Sequence, residues 1–342
     1  MASVSYLKSN LSNLKILIRL PNWLGDVVMS TAFVSAVKQL YPDAQVDVII
    51  KKDLANIAAL IPGINKVHPF SKQEHSGLSG VYHFGKALSR LEYDVFFNLP
   101  HSLSSAILAW ACGAKKRVGF KKEGGFFLMT NSYKKPVNVH RVNEYISLLE
   151  NFTGKTVTNK QIKLNTGQYL IFKYNTLIVN FNSEATSRRM PLNKGRSIIN
   201  ALTEAFKEVT FAFVGSPKES AFIDDLIAGL NHSNRLQNHA GKTDLVGLAK
   251  LMAGSKAVLT TDSGPAHLAN SVGVPTVVLF GAGNENNTAP YNKKDLSVIR
   301  YGQLACEPCV RNTCKLYGIP KCMEMLDEIK IINALSLYLN DA

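Results

Sequence analysis

Strand-length apolar runs alternate with helix-length segments along almost the whole of this 342-residue chain, and the alternation stops once and then restarts. LKILIRL leads into a helical pattern over 26–40, QVDVIIK into LANIAALI, and the short strand candidate VHPF into VYHFGKALSRL. YDVFFNLP then precedes SLSSAILAWACGA, KRVGF follows, and a helix over 140–154 ends in glycine. Strands separated by helices cannot pair as hairpins. They lie parallel, joined by right-handed crossovers. The polar stretch over 153–174, TGKTVTNKQIKLNTGQYLIFKY, breaks the rhythm and reads as a connection between domains. Beyond it the order resumes with TLIVNFN, a helix over 195–206, TFAFVGS, a helix over 217–230 and the loop NHAGKTD. LVGLAKLMAGS, KAVLTTD, PAHLANSVG and PTVVLFG follow, and a last helix runs over about 322–340. The expected class is α/β, two doubly wound halves with the ligand cleft between them. Functional residues should then lie in the loops just after strands, where open parallel sheets bind ligands.

Composition narrows the class of partner. With 46% hydrophobic and 19% charged residues the chain can bury two cores and is not a disordered protein. Thirty-nine Lys and Arg against 25 Asp and Glu leave a net charge of +14, which favours nucleic acid, an acidic membrane surface or a phosphorylated substrate. Eight basic residues and one acid, Glu123, fall within 115–141, a cluster that is as readily a solvated face as a binding surface. The basic residues are not interleaved with stacking aromatics on a recognisable module, which sets nucleic acid aside. MASVSYLKSNLSN lacks the apolar stretch of a signal peptide, and no apolar run approaches the ~20 residues of a membrane span. The expectation is a cytoplasmic protein that at most rests on a membrane. Cys112 lies alone in an apolar helix and reads as core. Cys306, Cys309, Cys314 and Cys322 form C-x2-C-x4-C-x7-C, open to three readings: a small structural metal site, a disulfide-capable pair or packed thiols.

Four segments carry chemistry. In VLTTDSGPAHLANSVGVPTVVLFG, over 258–281, a strand ends at Thr261, Asp262 to Gly264 make the turn, and Pro265 suits the first helical turn. The free amides of that helix start attract anions, and Gly264 allows a phosphate to come close. Asp262 would repel a diphosphate, so it accepts from a hydroxyl or orients the loop; with no ligand, Asp262 or Ser263 is a helix cap. VNFNSEATSRRMP, over 179–191, also follows a strand. Ser183 and Thr186 offer hydroxyls, and Arg188 and Arg189 offer guanidinium donors matched to phosphate oxygens, unless they are an ordinary surface pair. IRLPNWLGDVVMS holds a lone Gly25, so the dinucleotide fingerprint is missing and a nicotinamide enzyme is disfavoured. Asp26 is either a helix N-cap or a carboxylate able to take a proton from an attacking hydroxyl. In FGAGNENNTAPY, over 280–291, the Gly-x-Gly is weak evidence, and Thr288 either faces the cleft or caps a turn.

Taken together, LGDVVMSTAFVSAVKQLYP, RRMP, TTDSGPAHLANSVGVPTVVLFG and CEPCVRNTCKLYGIPKCM resemble the lipopolysaccharide heptosyltransferases of glycosyltransferase family 9, over roughly 14–325. The resemblance implies a GT-B fold: a Rossmann-like acceptor domain over 14–165, a Rossmann-like donor domain over 172–325 and a C-terminal helix in 326–342, with the two domains facing a central cleft. It implies inverting transfer, without metal or cofactor, from ADP-L-glycero-D-manno-heptose to the lipid A-linked inner core at the inner membrane surface. Asp26 matches the general base. Arg188, with Arg189 beside it, falls on the donor phosphates, and Ser183, Thr243, Asp262, Ser263, Gly264 and His267 fall on donor-binding positions. Arg117 sits in a basic stretch on the acceptor side.

The chain departs from the family in three places. Met190 replaces a frequent tryptophan, Pro217 follows VGS where some members carry an acidic ribose contact, with Glu219 the nearest substitute, and GIPKC replaces a histidine-containing segment. The nearest rival reading is the same architecture with another nucleotide-sugar or a protein acceptor.

Overall fold

The structure, a computed structural model, describes residues 14–121, 125–167 and 175–339. The N-terminal stretch, Lys122 and Glu123 of the basic cluster, residues 168–174 of the expected connection and the last three residues of the chain lie outside the described residues. The chain divides into two compact units between Lys163 and Leu164.

The first unit is built on a six-stranded parallel sheet of order β3-β2-β1-β4-β5-β6. Its strands are β1 (Lys15–Arg19), β2 (Gln45–Lys51), β3 (Lys66–Phe70), β4 (Val95–Asn98), β5 (Lys116–Phe120) and β6 (Asn131–Tyr133). Ile16 stands opposite both Val46 and Val95, which fixes β1 at the centre. A strand covered on both faces needs side chains that tolerate burial on either, and KILIR supplies them. Among the described residues four α-helices cover the sheet: α1 (Leu24–Leu40), α2 (Gly77–Leu88), α3 (Leu103–Cys112) and α4 (Arg141–Thr153). The pleat of β4 separates the layers. Phe96 joins Val81 and Leu88 of α2 and Leu108 and Cys112 of α3, whereas Phe97 meets Phe33 of α1 at 5.1 Å and Phe152 of α4 at 5.4 Å between ring centres. Cys112 is core, as expected.

The second unit repeats the plan with order β12-β11-β10-β7-β8-β9, all parallel. Its strands are β7 (Thr176–Asn180), β8 (Thr210–Phe213), β9 (Leu236–Asn238), β10 (Ala257–Thr261), β11 (Thr276–Phe280) and β12 (Leu296–Arg300). The helices are α5 (Leu192–Ala205), α6 (Ser220–Ile227), α7 (Leu245–Ala253), α8 (Gly264–Ser271), α9 (Glu285–Thr288), α10 (Lys321–Glu324) and α11 (Glu328–Leu339). Val277 and Leu279 of β11 face a core shared with Ile198, Leu202, Ile331 and Leu335, while Val278 and Phe280 face Ala266 and Ala289 on the other side. Helix α11 is therefore part of this unit's core. In each sheet the strand order reverses beside the first strand, at β1/β4 and at β7/β10, which is where doubly wound sheets open a crevice at their carboxyl edge.

Several elements differ from the sequence reading. LANIAALI lies in the 3-10 helix Lys52–Leu60. The short strands β6, β9 and β12 are additional. All pair at sheet edges, where one neighbour and partial exposure remove the apolar signature. The last helix is two, because Asp327 Oδ1 accepts from the Ile329 amide at 2.9 Å and starts α11 afresh. The helix expected from Pro217 opens as a single 3-10 turn, Pro217–Glu219.

Candidate active site

In the first unit the site grows from the end of β1. Arg19 is 4% exposed and donates to the carbonyls of Leu20 at 2.8 Å and Ile49 at 3.2 Å and to Asn22 Oδ1 at 2.6 Å. Burial lowers its pKa to about 10. The side chain pins the turn that delivers α1. Trp23, exposed, is the N-cap residue, so Asp26 is the third residue of the helix and not its cap. From there its carboxylate reaches α4, which packs beside α1. Tyr145 Oη donates to Asp26 Oδ1 at 3.2 Å, and Arg141 Nε lies 3.4 Å from the same oxygen. Burial raises the Asp26 pKa above the ordinary carboxylate range, against the lowering influence of Arg141 and the Tyr145 hydroxyl. Of the two roles that the sequence left open for Asp26, the helix N-cap is therefore taken by Trp23.

Glu144 completes the cluster. It accepts from Arg141 Nη1 at 2.9 Å and 3.0 Å and from His101 Nε2 at 3.0 Å, and Lys135 Nζ lies at 3.2 Å. Burial would raise its pKa, but these three groups bring it below the usual value. Arg117, expected on the acceptor side, donates from Nε and Nη1 to the carbonyls of Leu128 and Ala114, at 2.9 Å and 3.0 Å, and so braces the segment leading to β6.

In the second unit, the loops after β7 and β10 meet where the strand order reverses. Asn180 Nδ2 is the clamp, donating to Thr260 Oγ1 and Ser263 Oγ, both at 3.0 Å, and to the Asn182 carbonyl at 3.3 Å. Thr261 Oγ1 returns a bond to Asn182 O at 2.7 Å. This brings Arg188 Nη1 within 3.3 Å of Asp262 Oδ2. Asp262 is 3% exposed, and burial raises its pKa to about 6 despite Arg188 and Arg300. Arg189 turns back instead, donating from Nε and Nη2 to the Ser183 carbonyl at 3.3 Å and 3.0 Å. Ser263 is the N-cap residue of α8 and Gly264 its first residue. His267 is buried in α8, and Thr243 is exposed beside Asp244, whose side chain caps α7 at 2.7 Å.

Arg300, which the sequence reading did not single out, holds the loop after β11. It pairs with Glu285 through Nε at 3.1 Å and Nη2 at 2.6 Å, with Glu307 at 3.3 Å, and with the carbonyls of Gly281 and Gly283. That loop is pressed onto Asp262: a Cβ on Gly283 would sit 1.9 Å from Asp262 Oδ2. The Gly-x-Gly is thus a close approach of backbone to a carboxylate. Thr288 Oγ1 donates to Asn284 O at 3.1 Å and closes the short helix α9. Glu219 Oε2 accepts from the Ser216 amide at 2.7 Å, and Met190 is buried in the core.

Cys306, Cys309, Cys314 and Cys322 are free thiols, and Cys322 is buried beside Met323, its pKa pushed up to about 11. Among the described residues no group of three or more His, Cys, Asp or Glu is placed to hold a metal ion, and no helix is long and apolar enough to cross a membrane.

The first unit thus presents a carboxylate with raised proton affinity. The second presents a guanidinium, a helix N-terminus and a buried carboxylate at a strand-order reversal. A carboxylate of raised proton affinity can take a proton from an alcohol, and a guanidinium with free helix-start amides can bind a phosphate.

Comparison with known proteins agrees. The chain is 26% identical to the lipopolysaccharide core heptosyltransferase OpsX of Haemophilus influenzae, across 82% of this chain and 83% of that one. It is 27% identical to lipooligosaccharide heptosyltransferase 2 of Campylobacter jejuni, across 93% and 96%. The fold superposes on the E. coli ADP-heptose LPS heptosyltransferase II with a TM-score of 0.79 at 22% identity, covering 96% of this chain and 99% of that one. A family 9 glycosyltransferase from Veillonella parvula gives 0.82 at 20% identity, covering 96% and 98%. Two six-stranded parallel α/β units of this kind are the GT-B architecture. The model of glycosyltransferase family 9 (heptosyltransferase) matches residues 81–319, and the chain belongs to that family.

Proposed function

We propose that the protein transfers heptose from ADP-L-glycero-D-manno-heptose to the inner core of lipopolysaccharide, with inversion at the anomeric carbon and with Asp26 as general base. The observation that carries the reading is Asp26 itself, a partly buried carboxylate of raised proton affinity at the carboxyl edge of β1. Such a group takes up a proton more readily than an exposed aspartate does, as a general base must. Asp26 takes the proton of an acceptor hydroxyl as its oxygen bonds to the anomeric carbon. The bond from that carbon to the phosphate oxygen breaks, and ADP leaves with the electron pair.

On the donor side, Arg188 moves its charge from Asp262 to the diphosphate, and the amides at Ser263 and Gly264 meet the developing negative charge. Preorganised donors of this kind are worth a few kcal/mol each, on the order of 3. Asp262, relieved of its partner, is then available to a sugar hydroxyl. Ser183, Arg189, Thr243 and His267 complete the donor side by positioning its loops. The names of the relatives support the choice of sugar and acceptor. The basic cluster over 115–141 suits an acceptor carrying phosphates and acidic sugars at the inner face of the inner membrane.

The test is a donor panel. ADP-heptose should bind and be turned over on a heptose-acceptor core, while UDP- and GDP-sugars should not. Arg188→Ala should weaken ADP-heptose binding about 10-fold or more. Preferential turnover of a UDP- or GDP-sugar, or transfer to a protein acceptor alone, would replace this reading with another GT-B chemistry.

A further inference from the structure

The cluster around Asp26 assigns its two oxygens different tasks. Oδ1 faces two donors at once, the Tyr145 hydroxyl at 3.2 Å and Arg141 Nε at 3.4 Å, whereas among the described residues nothing donates to Oδ2. We propose that Tyr145 and Arg141 are positioning residues that hold Oδ1, so that Oδ2 is the atom that takes the acceptor's proton, and that Glu144 sets how strongly Arg141 does so. The proposal rests on the reading of Asp26 as the base.

Three features support it. Tyr145 is 3% exposed, and burial together with Asp26 holds its hydroxyl far above its ordinary pKa, so it is a fixed donor and never a competing base. Its ring is anchored in the interior of the unit, and a carboxylate tied to it cannot rotate freely about its own χ2. Arg141 is divided. Nη1 is held by both oxygens of Glu144, and Nε, buried and without a hydrogen bond, points at Asp26 beyond good bonding distance. Glu144 is itself fixed by His101 from the loop after β4 and by Lys135 from the segment before α4. The charged and titratable groups around Asp26 are therefore Arg141, Glu144 and Tyr145 on α4 and Lys135 from the segment before it, which favours the ionised form of Asp26 as well as pairing with Glu144, while His101 acts on Glu144. A carboxylate fully paired with Arg141 would be a poor base. Drawing the guanidinium toward Glu144 leaves Asp26 enough proton affinity to act, while Tyr145 keeps it oriented.

The signs follow. The Tyr145 hydroxyl favours the ionised form of Asp26, so Tyr145→Phe should raise the Asp26 pKa. The Glu144 charge opposes ionisation and diverts Arg141, so Glu144→Gln should lower it. In pH profiles of kcat/KM, which report the free enzyme's base, the acidic limb should move up by about half a unit or more in Tyr145→Phe and down by a similar amount in Glu144→Gln. The KM for ADP-heptose should stay within about twofold of wild type in Tyr145→Phe, because no donor contact is removed. The same shifts should be seen without turnover, by following the carboxyl carbon of labelled Asp26, whose resonance is the one lost in Asp26→Asn. If Asp26→Asn is inactive yet neither substitution moves limb or resonance, the division of roles is wrong and the base stands. If Asp26→Asn turns over normally, the base itself is wrongly assigned. Limbs moving in the same direction in both variants would also overturn the proposal.

Discussion

Asp26 and Asp262 both hold their protons more tightly than an exposed aspartate, and for the same first reason, loss of water around the charged form. They differ in how much cation offsets it. Asp262 is the more buried and faces Arg188 at 3.3 Å, yet its pKa still sits at about 6. A carboxyl whose folded pKa exceeds its unfolded value favours folding at low pH and loses that contribution as pH rises through the folded pKa. Asparagine cannot titrate. Wild type should therefore lose stability relative to Asp262→Asn between about pH 4 and 6, by ~3 kcal/mol at most. Urea unfolding of both proteins across that range checks it, and parallel stability curves would contradict the shift. At this scale the sequence was informative about where Asp26, Arg188, Asp262 and Ser263 lie, in the segments that follow strand ends, because the position of a strand end is itself written in the apolar pattern. It was silent about their partners. Tyr145 is 119 positions from Asp26, and Asn180 is 83 from Ser263, and no periodicity announces a meeting at that distance.

At the scale of elements, the two strand-order reversals place the loops, and the loop after β11 shows how tightly. Arg300 draws Gly281 and Gly283 in by their carbonyls and neutralises itself on Glu285 and Glu307. Gly283→Ala should force a methyl into Asp262, costing ~1–3 kcal/mol of stability as overpacked sites do and lowering ADP affinity through the displaced carboxylate. Urea unfolding and ADP titration read the two effects, and a variant with unchanged midpoint and affinity would remove Gly283 from this role. The same Gly-x-Gly was only weak evidence in sequence because glycine records that a side chain is excluded, not by what. Element type was legible wherever both faces of a strand are buried, as in KILIR and TVVLF. It faded at β6, β9 and β12, where edge position leaves three to five residues of mixed polarity. The break before α11 was hidden because Asp327 acts as a cap only through its hydrogen bond.

At the scale of the molecule, a single plan is used twice. Each unit is a six-stranded parallel sheet with a polar cluster near the point of strand-order reversal, and the two clusters differ: a carboxylate of raised proton affinity, Asp26, in the first, and Arg188 beside Asp262 and a helix N-terminus in the second. The repeated βα rhythm made that plan readable from sequence, since parallel strands in this number have few other solutions. The division of labour makes the account separable by one substitution. Asp26→Asn removes the proposed proton acceptor from the first unit and changes no residue of the second. Its ADP-heptose affinity and its rate of heptose transfer should be measured side by side on the lipopolysaccharide core. The account predicts near-wild-type affinity with transfer slowed by ~10²–10⁴; transfer at close to the wild-type rate would contradict it.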